Sequence, residues 1–67
     1  MFTLVITHDY GQNVSKHKSL ENAMKRLDTY VKDWWTRECG NLPMPTDRDE
    51  RIAAYFEQTP AEGWDVY

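Results

Sequence analysis

The chain of 67 residues contains one cysteine, Cys39, so no disulfide can form within it and its stability must come from packing. Soft metal ligands are scarce. Only His8, His17 and Cys39 qualify, whereas a structural zinc site takes four ligands at spacings such as CxxC; Asp9 as a third ligand beside the two histidines completes no such set. The acids do not follow the D-x-D-x-D-G order of a calcium loop, so no metal is expected. No stretch approaches eighteen apolar residues, and Met1 to Asp9 lacks the basic head and apolar run of a secretory leader; a soluble, cytoplasmic protein is the expectation. With three glycines and three prolines there is no flexible linker, and the longest irregular piece runs from Gly40 to Thr46 around Pro43 and Pro45. Residues 1–67 therefore read as one small domain, too short for a Rossmann unit, a kinase or a TIM barrel.

Catalytic signatures are missing as well. Ser15 and Ser19 have no G-x-S-x-G setting, and Cys39 falls at a helix C-terminus, where the dipole opposes a thiolate. A glycosidase pair of carboxylates needs a walled cleft that so short a chain scarcely provides. The expectation is no enzyme and no cofactor.

What is present is a clear apolar pattern, with 40% hydrophobic and 13% aromatic residues. Phe2, Leu4 and Ile6 alternate with Thr3, Val5 and Thr7, the period of a strand, and the even positions are expected to face a core. Asp9-Tyr10-Gly11-Gln12 reads as a turn, with Asn13 to His17 returning as a second strand. An even-length loop would put Val14 beside Val5 and Thr7, an odd one beside Ile6 and His8, and the sequence leaves both open. Ser19 then caps a long helix in which Leu20, Ala23, Met24, Leu27, Val31, Trp34 and Trp35 form a stripe, and Gly40 stops it. Glu21 with Lys25, Asp28 with Lys32, and Asp33 with Arg37 are spaced to pair on the opposite face. Thr46 is the expected cap of a shorter helix with Asp47, Asp49 and Glu50 in its first turn and Ile52, Tyr55 and Phe56 on its buried edge, stopping near Gln58. Trp64 to Tyr67 alternate again as a last strand in the hairpin's sheet. The resulting fold class is α+β: two layers, a three-stranded antiparallel or mixed sheet with two helices on one face, in the order β-β-α-α-β.

Seven tryptophans and tyrosines are many for this length. Core packing accounts for most of them: Trp34 and Trp35 lie about 100° apart on a helix, so one is buried while the other lies at the margin, where it can anchor a protein partner with Tyr30. Charge is unevenly divided. The net −3 is the sum of +2 over residues 1–37 and −5 over residues 38–67, where seven acids face only Arg48 and Arg51. A net negative charge argues against a general nucleic-acid or acidic-membrane binder, and the acidic half is suited to a basic surface.

Thr7-His8-Asp9-x-Gly11, Ser19-Leu20-Glu21-x-Ala23, Tyr30-Val31-x-x-Trp34-Trp35 and Met44-Pro45-x-Asp47-Arg48, followed by Tyr55-Phe56-Glu57, together resemble small uncharacterised proteins carried by bacterial phages, plasmids and integrative elements. Some mobile-element proteins of this size and acidity are anti-CRISPR inhibitors, which block a Cas complex by occupying its DNA-binding surface. The resemblance implies a bacterial host cell and a non-enzymatic module with a basic, nucleic-acid-handling partner. The charge distribution of the second half, apart from the resemblance, makes Asp47, Asp49, Glu50, Glu57 and Glu62 the residues expected to meet that partner's basic side chains. Its net charge is smaller than that of strong DNA mimics. A small structural or oligomerising module pairing through a sheet face or edge is the alternative, with a monomer expected ahead of a homodimer. A further alternative is a single-stranded nucleic-acid binder using Lys16, Lys18, Lys25 and Arg26 with Tyr10 or a tryptophan.

Overall fold

Along strand β1 (Phe2–His8) of the computed structural model, which describes residues 1–67, Leu4 and Ile6 are buried while Val5 is half-buried and Thr7 exposed. The expected alternation holds at Leu4 and Ile6, but Phe2, at the strand's start, is exposed. The chain then turns through Asp9 and Tyr10 alone into β2 (Gly11–His17), so Gly11 and Gln12, expected in the turn, pair with His8 and Thr7 instead. Neither loop residue has a positive φ; that conformation falls on Gly11, at φ 128°, where no Cβ opposes it. The two-residue loop selects the even register, which sets Val14 opposite Val5 on the outer face of the sheet, 60% exposed.

The third strand, β3 (Gly63–Val66), starts one residue before the expected Trp64 and pairs antiparallel with the free edge of β1, giving the order β2-β1-β3. Thr3 and Tyr67 extend this ladder with two backbone hydrogen bonds of 2.6 and 3.0 Å. Trp64 and Val66 stand opposite Ile6 and Leu4, so they share the inward face.

Helix α1 (Leu20–Cys39) begins where the Ser19 hydroxyl accepts the Asn22 N–H at 3.1 Å, and ends at Gly40, whose φ of 61° lets its N–H reach the Thr36 carbonyl. Ala23, Leu27, Val31 and Trp35 are buried as the stripe predicts, joined by Tyr30 and Cys39, but Leu20 and Trp34 are not. A helix of twenty residues is about 30 Å long, whereas a seven-residue strand spans about 23 Å. The stripe thus outruns the sheet. Trp35 stays covered because Tyr55 tilts against it and the loop after α1 folds back, its Leu42 carbonyl accepting the indole N–H at 3.0 Å.

Helix α2 (Arg48–Gln58) is capped by Asp47, not Thr46: the Asp47 carboxylate accepts the Glu50 N–H at 3.0 Å. An anion suits the positive end of the helix better than a hydroxyl does, and the Thr46 carbonyl is held by Arg51. Pairings between the helices climb together, Glu21 with Arg48, Asp28 with Arg51, and Tyr30 and Trp35 with Tyr55. Both helices join Leu4 and Ile6 in one cluster of ten buried side chains, so the fold is the expected two-layer α+β arrangement with an open outer sheet face. No helix is long and apolar enough to cross a membrane.

Candidate functional site

Charge on α2 is sorted by direction. Its two arginines turn onto α1: Arg48 donates to Glu21, and Arg51 forks onto Asp28 with contacts of 2.7 and 2.9 Å while its third nitrogen donates to the Pro45 and Thr46 carbonyls. The Arg51 hydrogen bonds hold the Asp28 carboxyl below its ordinary range, against the opposing effect of burial. Of the three ion pairs expected along α1, only Asp28 with Lys32 forms, at 3.4 Å. Glu21 is drawn away by Arg48, and Arg37 lies over the Trp34 ring at 5.1 Å.

With both arginines drawn onto α1, Asp49, Glu50, Ala53 and Glu57 are left exposed. Glu50 and Glu57 are seven residues apart, so they project from nearly the same side of the helix about 10 Å apart along its axis. Asp49 stands beside them and remains 78% exposed at its side chain, with Arg48 Nε 3.7 Å away. The other two candidate acids do different work. Asp47 is spent on the cap, and Glu62 turns inward.

Glu62 Oε1 accepts hydrogen bonds from Tyr30 at 2.6 Å and from Tyr55 at 3.0 Å. Burial, reinforced by the hydrogen bond to this carboxylate, pushes the Tyr30 phenol up to about 12 and the Tyr55 phenol higher still. Tyr30 is therefore an internal post between α1 and the chain preceding β3, not the surface anchor its place beside the stripe suggested. Next to it opens a cleft of about 310 Å³ bordered by the β1–β2 turn, the second half of α1 and Glu62. The rings of His8, Tyr10, Tyr30 and Trp34 form much of its wall. His8 and Tyr30 stack at 6.5 Å, and the Tyr10 N–H donates to His8 Nδ1 at 3.2 Å, which leaves the proton of the neutral imidazole on Nε2.

His8 and His17 stand at opposite ends of the hairpin, six residue steps or about 20 Å apart, too far to share an ion. Cys39 is buried and its thiol pKa is raised by desolvation, which keeps it protonated and unreactive.

Three features escape a reading by pattern: the Asp28–Arg51 fork, the two tyrosines on Glu62, and the cleft. One signal exists for the first, since Asp28 is four residues beyond Met24 and three before Val31, inside the apolar stripe, where a carboxylate needs a partner. The other two depend on residues brought from distant parts of the chain, Tyr30 lying 32 positions from Glu62, and leave no local trace. Compared with models of protein families, with curated proteins and with solved structures, the chain matches none.

Proposed function

We propose that this protein is a non-enzymatic binding module that engages the basic, nucleic-acid-handling surface of another protein through the acidic face of α2, acting as an inhibitor of the anti-CRISPR kind. The observation that carries the reading is the turn of both α2 arginines onto α1: Arg51 is buried on Asp28 and Arg48 is held by Glu21, so Glu50 and Glu57 face solvent without an ion pair and Asp49 meets only Arg48 Nε at 3.7 Å. Such a face attracts lysines and arginines that otherwise hold phosphates, and it speeds encounter with them. Asp47 adds to the local field while serving as the cap. The resemblance to mobile-element proteins supports the class of partner.

The test is capture of a nucleic-acid-handling complex from the host by the tagged protein, repeated with Asp49→Lys, Glu50→Lys and Glu57→Lys combined. We expect binding that weakens with salt and falls at least about tenfold in the variant, a loss of about 1.4 kcal/mol. Undiminished capture by a folded triple variant would reject the acidic-face mechanism.

A further inference from the structure

The cleft beside Tyr30 shares no residue with the exposed face of α2, and its chemistry has a definite sign. Its charged border consists of Asp9, Glu38 and Glu62 against Arg37, so three carboxylates meet one cation. A phosphate-bearing ligand would be repelled there, while a cation would be drawn in. Among the rings, Trp34 is 38% exposed and Tyr10 is 90% exposed. Neither position is explained by the core.

Two details narrow the cation. Glu62 Oε1 is fixed by two phenol hydroxyls, yet Oε2 has no hydrogen-bond partner within the protein, and no buried side-chain polar atom is left without one; Oε2 therefore reaches solvent from a carboxylate that is already oriented. Arg37 shows what the neighbouring indole accepts, its guanidinium carbon lying 5.1 Å from the centre of the Trp34 ring. A planar guanidinium stacks on an aromatic face while its edge donates to a carboxylate, a combination that a compact ammonium cannot match. The volume, about 310 Å³, is at the lower end for ligand pockets, room for one side chain and its flanking backbone.

We infer that this cleft is a subsite for an arginine side chain of a partner polypeptide, seated among Tyr10, Tyr30 and Trp34 with its guanidinium on Glu62. The inference rests on the reading above only in taking the partner to be a basic protein. It supplies that partner with an anchor residue away from α2.

The experiment is a ¹H–¹⁵N NMR titration of the whole protein with the blocked tripeptide acetyl-Gly-Arg-Gly-amide. Saturable shifts are expected at the Trp34 indole N–H and at the amides of His8, Tyr10 and Glu62. Replacement of arginine by neutral citrulline, and separately Trp34→Leu or Tyr10→Ser in the protein, should each weaken binding about tenfold, with the remaining resonances unmoved as evidence that the fold persists. Unchanged titration of the Asp49→Lys, Glu50→Lys, Glu57→Lys variant supports a site separate from α2. Absence of saturable shifts, equal binding of citrulline, or shifts confined to α2 overturns the inference. Tighter binding of a lysine tripeptide rejects the guanidinium assignment, and tighter binding of free agmatine rejects a polypeptide ligand. If host-complex capture through α2 persists when the arginine tripeptide fails to bind, this inference alone has failed.

Discussion

Two adjacent tryptophans illustrate how little residue type decides without position. Trp35 is 4% exposed and hydrogen-bonded through its indole to Leu42, whereas Trp34 borders the cleft. Trp35→Ala should cost about 3–5 kcal/mol by opening a cavity, and Trp34→Ala well under half of that. Urea unfolding of the two variants checks this, and equal losses would contradict the burial difference. Glu62 is a second case, a carboxylate committed to two internal hydroxyls. Tyr30 follows from it: the phenol ionises at about 12 in the folded protein and near 10 when unfolded, so the unfolded chain loses its proton first. Stability attributable to Tyr30 is complete below pH 10 and declines as pH rises towards 12. Thermal unfolding followed by circular dichroism should show this decline in the parent and a smaller one in Tyr30→Phe. An equal decline in both would remove Tyr30 as its source.

At the level of elements, the two helices are joined by a fork that carries charge into a nearly dry place. Arg51 and Asp28 expose only 9% and 10% of their side chains. Breaking such a pair strands the other charge, so Asp28→Asn should destabilise by about 3 kcal/mol at neutral pH. The acid limb gives the sign. Because the Asp28 pKa is lowered on folding, its contribution is present above the unfolded value near 3.9 and is lost as pH falls through the folded one. The gap between parent and Asp28→Asn should therefore narrow below about pH 4; a gap that stays constant with pH would show that the carboxylate charge is not what holds the helices. The end of α1 is fixed more simply. Gly40, at φ 61° and ψ −124°, occupies a conformation that disfavours a side chain, and Gly40→Ala should cost about 1–2 kcal/mol in the same urea assay.

For the molecule as a whole, the two-layer arrangement decides which charges meet water. Packing α2 against α1 consumes two of the three cations that face each other across the helices, while the third, Lys32, closes on Asp28. On the far side of α2 Glu50 and Glu57 gain no counterion in return, and Asp49 meets only Arg48 Nε at 3.7 Å. The outer sheet face presents Val14 and Tyr67 among Thr3, Thr7, Gln12, Lys16 and Asp65, an apolar area broken up by polar and charged groups. Interspersed charge of this kind discourages pairing between copies, so sedimentation should give a monomer across a wide concentration range. A dimer at the lowest concentrations would return the protein to the oligomerising class and bring the open sheet face forward as its working surface.

The order of elements, the Ser19 cap, the Gly40 stop, the buried line of α1 and the antiparallel hairpin follow from the sequence by itself. Each depends on neighbours a few positions away, through side-chain periodicity or backbone sterics. The two-residue loop set the even register, but the displacement of the second cap from Thr46 to Asp47, the exposure of Leu20, and the partners of Glu21, Asp28 and Glu62 were settled only when the layers came together. Competition decides these: Arg48 outbids Lys25 for Glu21, and Arg51 takes the Thr46 carbonyl, choices set by distances across the fold that no spacing along the chain encodes. The sequence likewise fixed how many acids the second half carries. Which of them look outward was decided by the packing of α2, because burying one side of the helix brings its cations against α1 carboxylates, Arg51 on the buried Asp28 and Arg48 on the exposed Glu21, and leaves the opposite side to solvent.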